Sequence, residues 1–287
     1  MTKRPSWLTV RVQSGQEREG MEVVRGVLGR HRLTTVCQGA GCPNAAECWG
    51  KRTATFMLLG DTCTRACRFC AVKTGNPHGA VDRGEPERLA EAVAELGLSY
   101  VVLTSVDRDD LEDGGASLFA RAIRALKGKL PQVAVEALVP DFSGNVDAIR
   151  AVAEAGADVV GHNLETVRRL TPEWRDPRAS YEQSLALLTW FKTLAPQGLT
   201  KSSLILGLGE MNDEVLQALR DLREAGVDLL TLGQYLRPHR AAGPVGRYLS
   251  PAEFEGLAQE ARSIGFRSVV AGPLVRSSYH AEALRDA

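Results

Sequence analysis

The sequence predicts an α/β fold, a partial (β/α)6-type TIM barrel preceded by an N-terminal extension and followed by a short C-terminal tail. Three observations lead there. From residue 53 onward, strand-like apolar runs alternate with amphipathic stretches of helical length. A recurrent junction, Glu95-Leu-Gly97, Glu154-Ala-Gly156, Glu224-Ala-Gly226 and Ser263-Ile-Gly265, closes a helix just before a strand; glycine there accepts the left-handed backbone that ends a helix. Six or seven such units with no second hydrophobic pattern favour one parallel domain, open or barrel-like. A doubly wound sheet is the structural alternative. It wants a Gly-rich phosphate turn after its first strand, where this chain reads Gly60-Asp-Thr-Cys-Thr-Arg-Ala-Cys67.

The elements follow in order. Thr53-Ala-Thr-Phe-Met-Leu-Leu59 is a β-leaning apolar run that ends just before a cysteine group. Further strands are expected at 100–104, 133–138, 158–161, 203–206, 227–232 and 267–270. Amphipathic helices are expected at 86–96, 115–126, 181–194, 213–224 and 251–263. The chain therefore divides into an extension over 1–52, a β/α body over 53–272 and a tail over 273–287.

Composition narrows the function classes. The 287 residues carry 35 Lys+Arg against 35 Asp+Glu, and a balanced charge gives no footprint for nucleic acid or an anionic membrane. No apolar run reaches the ~18–20 residues of a membrane span, and Met1-Thr-Lys-Arg-Pro-Ser-Trp-Leu8 lacks the hydrophobic core of a signal peptide. A cytoplasmic protein is expected.

The cysteines carry the chemistry. All six lie between Cys37 and Cys70. A secreted disulfide framework serves small domains that cannot otherwise build a core, which a chain of this length does not require, so the cluster reads as metal ligands. Cys63-x3-Cys67-x2-Cys70 stands at the C-terminal end of the first strand, the edge at which β/α barrels form active sites. Three thiolates on a short loop hold three corners of a cubane iron–sulfur cluster and leave one iron open to substrate or cofactor. Zinc is the blander reading, but only Cys67 and Cys70 form the close pair that structural zinc sites repeat. Cys37-x4-Cys42-x5-Cys48 is a second set of three that lacks a fourth cysteine, and no histidine spacing completes it. Arg276-Ser-Ser-Tyr279 offers two serines near the end of the chain, in a segment that otherwise reads as an exposed turn.

Asp61-Thr-Cys-Thr-Arg-Ala-Cys-Arg-Phe-Cys70 resembles the radical S-adenosylmethionine superfamily. Both cysteine spacings, taken with the terminal Arg-Ser-Ser-Tyr-His-Ala281, resemble the lipoyl synthase family. Supporting stretches are Thr104-Ser-Val-Asp-Arg-Asp-Asp-Leu111, Asp113-Gly-Gly-Ala116, His162-Asn-Leu-Glu-Thr166 and Lys201-Ser-Ser-Leu-Ile-Leu-Gly-Leu-Gly-Glu210. One departure is Arg240-Ala-Ala-Gly-Pro-Val245, where that family commonly has a histidine shortly before Pro-Val.

The resemblance implies two [4Fe–4S] clusters and S-adenosylmethionine as cofactors. By resemblance, Cys63, Cys67 and Cys70 hold the cluster that cleaves S-adenosylmethionine to a 5′-deoxyadenosyl radical. Such a radical takes hydrogen from a C–H bond that no side-chain base could deprotonate. Two sulfur atoms then enter at C6 and C8 of an octanoyl chain amide-linked to a lysine. The auxiliary cluster, on Cys37, Cys42, Cys48 and Ser278 (with Ser277 the alternative), is implied to be the sulfur donor; a hard serine ligand holds iron less firmly than thiolate and can release it. The implied partners are an octanoylated lipoyl carrier domain, of a dehydrogenase E2 subunit or the glycine cleavage H protein, and a reduced ferredoxin- or flavodoxin-type donor.

Phe69, Gly114, Gly115, Glu136, Asn163, Glu165 and Lys201 are expected around S-adenosylmethionine. Gly114 and Gly115 either let backbone approach the methionine amino group or only make a turn. Glu136 either points into the barrel or pairs outward. The run Asp107-Arg-Asp-Asp110 either orients cofactor groups or forms a solvated, helix-capping face.

Overall fold

The computed structural model describes residues 5–9, 15–39, 42, 44–50 and 54–286. Met1 to Arg4 and Thr53, the start of the first expected strand, lie outside them. The chain forms two compact units, Arg11–Arg65 with Val72–Val160, and Met1–Val10 with Ala66–Ala71 and Gly161–Ala287.

The first unit opens with α1 (Gly15–His31), β1 (Thr34–Thr35), α2 (Val36–Gly39) and α3 (Ala45–Gly50). The described residues of the extension are thus largely helical, and β1 pairs antiparallel with β2 (Thr55–Leu58), placing Thr34 opposite Met57. Two short strands, β3 (Thr62–Cys63) and β4 (Lys73–Thr74), pair with one another beside this sheet. Then come α4 (Glu85–Leu96), β5 (Tyr100–Ser105), α5 (Ala116–Lys129), β6 (Ala134–Leu138), α6 (Val146–Ala153) and β7 (Val159–Gly161). The strand order is β1-β2-β5-β6-β7. From β2 onward the parallel strands succeed one another in chain order, as in a β/α barrel, without the reversal of a doubly wound sheet.

In the second unit α7 (Thr171–Trp174) and α8 (Tyr181–Leu194) precede β8 (Leu199–Leu206), α9 (Asn212–Glu224), β9 (Leu229–Gln234), α10 (Pro251–Ile264), β10 (Ser268–Gly272) and α11 (Ala281–Asp286). Strands β8, β9 and β10 are again parallel and sequential, with Leu229 opposite both Lys201 and Ser268. Leu204, Leu230, Leu232 and Phe254 are buried in the core of this unit, and Phe69 packs against it.

The predicted junction glycines end their helices as expected. Gly97 and Gly265 occupy the left-handed region at φ 65° and 103°, and Gly156 and Gly226 have φ of 86° and 85°. Helix starts are capped in the ordinary way: Asn145 Oδ1 accepts from Asp147 and Ala148 N–H, and Ser250 and Glu253 form a reciprocal capping box. Strand starts share a second device. The Asp158 carboxylate accepts from Val135 N–H and Lys127 Nζ, and that of Asp228 accepts from Thr200 N–H and Lys192 Nζ.

Strand β8 is twice as long as the hydrophobic pattern predicts. Expected to begin at Ser203, β8 begins at Leu199, and Thr200, Lys201 and Ser202 are buried within it. These polar residues do not read as strand core, yet their partners are at hand: Thr200 Oγ1 donates to Gly226 O at 2.6 Å, and Ser202 Oγ accepts from Leu164 N–H at 3.1 Å.

Candidate active site

The cysteine loop leaves the first unit at Arg65 and enters the second at Ala66. Cys63 ends β3, is 9% exposed, and its carbonyl accepts from Gly75 N–H at 2.9 Å. Its Sγ accepts from the Arg65 backbone N–H at 3.4 Å, with Asp107 Oδ2 at 3.9 Å. Cys67 Sγ accepts from Asp176 N–H at 3.3 Å, and Cys70 N–H donates to Cys67 O at 3.1 Å. All six cysteines are thiols outside any disulfide.

Arg65 is the buried charge of this loop. Its side chain is 2% exposed, and the guanidinium donates to Asp109 from Nε and Nη2 and to Asp141 from Nη1 and Nη2, with Asp107 3.4 Å away. Burial works against the charge. The hydrogen bonds of Asp141 and Asp109 and the charges of Asp107 and Asp141 outweigh it and raise the pKa well above that of ordinary arginine. Thr64 N–H and Oγ1 both donate to Asp107 O, so the run 107–110 grips the cysteine loop through its backbone as well.

The Asp107–Asp110 run is therefore neither a solvated face nor a helix cap. The N-cap of α5 is Gly115, and the carboxylate at that helix start is that of Asp113, which accepts from Gly115 and Ser117 N–H at 2.8 Å each. Asp110 belongs to a second buried pair: Arg108, 1% exposed, donates to Asp110, to Leu59 O and to Ala80 O. Hydrogen bonds from Arg108 carry the Asp110 carboxyl down from 3.8 to about 2, against its burial. A depressed folded-state value stabilises the fold fully above the unfolded value and loses that contribution as pH falls toward about 2. Asp110→Asn should therefore remove roughly 2 kcal/mol at pH 7 and flatten the acid limb of stability between pH 4 and 2. Denaturant midpoints measured across that range check this; an acid limb as steep as that of the parent excludes it.

Gly114 and Gly115, at φ 59° and 90°, make the turn into α5. A Cβ on Gly115 would lie 2.2 Å from Leu59 Cδ1, so close packing requires glycine there as much as backbone conformation does. Gly114 lines a cavity of about 280 Å³ with Arg65, Asp107, Arg108, Asp109 and Phe142. Phe142 and Ser143 hold positive φ at its edge, 49° and 51°. This cavity stands beyond the C-terminal ends of β5 and β6, the edge at which barrel enzymes bind substrate.

The remaining expected residues are placed as follows. Glu136 is 1% exposed and accepts from Tyr100 Oη at 2.6 Å, which excludes an outward, solvated pairing. In the second unit Asn163 Nδ2 donates to Glu165 Oε1 at 3.1 Å. Burial pushes the Glu165 carboxyl up, with the charge of Arg175 and the hydrogen bond from Asn163 opposing. Glu165 has φ 70°, held there by backbone hydrogen bonds to Ser203 and from Ile205. Lys201 is buried in β8, its carbonyl accepting from His162 N–H at 3.0 Å. Cys42 N–H donates to Cys37 O, and Cys48 N–H to Asn44 O. Ser278 lies in a turn closed by Tyr279 N–H on Arg276 O. The departure at 240–245 docks on the cysteine loop: Gly243 N–H donates to Arg68 O at 2.9 Å and Gly243 O accepts from Tyr235 Oη.

Arg65, Asp141, Arg175 and Asp176 escaped the reading by motif. Arg65 stands between the cysteines and was readable in principle. Asp141 and Asp176 are brought to the loop from distant positions, Arg175 bears on Glu165 instead, and none of the three carries a local signal.

The donor set suits iron–sulfur clusters. Thiolates are the ligands such clusters take, and two of the three on the 63–70 loop receive backbone amides, the hydrogen bonding that tunes cluster sulfurs.

Comparisons with known proteins agree. The model of the radical SAM superfamily matches residues 57–222. Lipoyl synthase of Halorhodospira halophila is 57% identical over 98% of this chain and 83% of its own length. That of Thermus thermophilus is 57% identical over 97% and 85%, and that of Pyrobaculum arsenaticum 56% identical over 100% and 96%. Among solved structures, the FeFe-hydrogenase maturase HydG from Carboxydothermus hydrogenoformans has a TM-score of 0.60 at 12% identity, covering 94% of this chain and 68% of that one. Methylornithine synthase (PylB) has a TM-score of 0.58 at 14% identity, covering 91% and 72%. These two show the fold alone, the partial β/α barrel that the strand order predicts. The superfamily model and the relatives named lipoyl synthase, 56–57% identical over nearly the whole chain, agree on radical S-adenosylmethionine chemistry with iron–sulfur clusters: the chain belongs to the lipoyl synthase family of the radical SAM superfamily.

Proposed function

We propose that Cys63, Cys67 and Cys70 hold the catalytic cluster and that Cys37, Cys42, Cys48 and Ser278 hold the auxiliary one. What supports the first set is the pair of backbone amides aimed at sulfur, from Arg65 to Cys63 and from Asp176 to Cys67. When bound, the first cluster supplies the electron that cleaves S-adenosylmethionine and the second supplies sulfur for C6 and C8 of the octanoyl chain. The protein's part is to hold and shield. Arg65 and its three aspartates anchor the loop. Gly114, Gly115, Glu136, Asn163, Glu165 and Lys201 are polar or close-approach positions for S-adenosylmethionine, with Phe69 an apolar support. The extension over 1–52 carries the auxiliary ligands, 53–272 the catalytic body, and 273–287 the serine.

The substrate protein in this reading is an octanoylated carrier domain, of a dehydrogenase E2 subunit or the glycine cleavage H protein. The electron donor is a reduced ferredoxin or flavodoxin, and the compartment is the cytoplasm. Among the described residues no helix is long and apolar enough to cross a membrane.

Anaerobic incubation with reductant, S-adenosylmethionine and an octanoyl-lysine peptide tests the assignment by mass. The expected product gains two sulfurs at the expense of hydrogens. Formation of 5′-deoxyadenosine without sulfur insertion would instead assign the auxiliary cluster to electron transfer, and a colourless protein holding zinc without iron would exclude both clusters.

A further inference from the structure

Within the second unit, Trp174–Asp176 runs beside Ala66–Arg68, and hydrogen bonds pass in both directions. Asp176 N–H donates to Cys67 Sγ at 3.3 Å, while Asp176 Oδ2 accepts from Ala66 N–H at 2.9 Å. Arg68 N–H donates to Trp174 O at 2.9 Å and completes the seam. Asp176 is 6% exposed, and Arg178 holds its carboxylate from behind through Nε at 2.8 Å, Nη2 at 3.1 Å and its backbone N–H at 3.1 Å. One residue thus offers its amide to the cysteine sulfur and its carboxylate to the amide just before that cysteine.

Taking Cys67 as a cluster ligand, as read above, we propose that Asp176 is a positioning residue that sets the charge on the Cys67 sulfur and so the ease with which the cluster there accepts an electron. A hydrogen bond to thiolate sulfur stabilises negative charge on it, and reduction adds negative charge, so the amide favours the reduced form. The carboxylate acts through position. Its bond to Ala66 N–H keeps the loop in the register at which the Asp176 amide meets sulfur. Without it the two segments separate, the amide is lost to sulfur and the potential falls. The step is one electron from the titrant into the cluster, with no bond made or broken.

The test uses a parent carrying Cys37→Ala, Cys42→Ala and Cys48→Ala, reconstituted anaerobically so that it holds the catalytic cluster alone. Its midpoint potential and the electron paramagnetic resonance of its reduced form are measured with those of three further variants. Asp176→Ala should shift the reduction equilibrium about tenfold toward the oxidised form, or about 59 mV for one electron. Asp176→Asn keeps an oxygen for Ala66 N–H and should stay at the parental potential. Asp176→Glu keeps the charge but displaces the acceptor by a methylene and should shift as alanine does. An alanine variant at the parental potential overturns the proposal. Should alanine not fold, a glutamate variant at the parental potential, or an asparagine variant shifted as far as glutamate, overturns it equally. A parent that takes up no iron and sulfide instead overturns the assignment of Cys63, Cys67 and Cys70, and the role of Asp176 falls with it.

Discussion

Cys63→Ala is expected to abolish cleavage of S-adenosylmethionine, whereas Ser278→Ala leaves cleavage intact and lowers sulfur transfer several-fold. The contrast follows from the two proposed ligand sets. Cys63 is buried at the end of β3, with backbone contacts through Arg65 N–H and Gly75 N–H, and no other cysteine follows Cys70 to replace it. Losing one of three thiolates leaves the catalytic cluster without the ligand set that keeps one iron open. Ser278 is a hard ligand in the proposed auxiliary set, and its loss affects the sulfur donor alone. Assays of 5′-deoxyadenosine and lipoyl product, run side by side on both variants, check this. Equal loss of cleavage in both would exclude the division of labour.

Arg65→Met is expected to cost about 3–5 kcal/mol of stability, the range for breaking a buried ion pair from one side. The aliphatic replacement takes away the guanidinium shared by Asp141, 0% exposed, and the half-buried Asp109 and Asp107. Arg65→Lys should fall between parent and Met, because a single ammonium cannot engage Asp109 and Asp141 in the two-pronged fashion of a guanidinium. Urea midpoints of the three proteins check the order. The carboxylates come from 107–110 and from 141, so the knot ties the ends of β5 and β6 to the cysteine loop; the Met variant should also retain less iron. An unfolding free energy within about 1 kcal/mol of the parent would show that the carboxylates relax into solvent or protonate without penalty.

The hydrophobic pattern located the repeating elements well. The helix 181–194 is observed with the expected limits, and the strand at 100–104 gains one residue. Periodicity works there because each element buries one continuous apolar stripe or run. It fails at Thr200-Lys-Ser202, where a buried strand is built from polar residues whose partners, Gly226 O, Asp228 and Leu164 N–H, lie elsewhere in the chain. It gave no elements to the extension, where α1 forms and β1 pairs with β2 through an antiparallel edge of two residues.

The same distinction governs the site. The cysteines and their spacing were legible because iron–sulfur ligation depends on side-chain type and short separations along the chain, both local properties. The resemblance to the family rests on both spacings together with the terminal Arg276-Ser-Ser-Tyr-His-Ala281. Glu136 is different: alternation left it either inside or outside, and only packing, with Tyr100 donating to it, places it in the interior. Asp107 to Asp110 read equally well as a solvated face, until the guanidiniums of Arg65 and Arg108 turned out to be buried against them. Asp176 stands 109 positions from Cys67 and carries no motif, yet its amide reaches the sulfur. Ligand chemistry is written in consecutive residues. The hydrogen bonds and countercharges that tune those ligands depend on which distant segments share a low-dielectric interior, where an unpaired polar group is costly, and folding alone decides that.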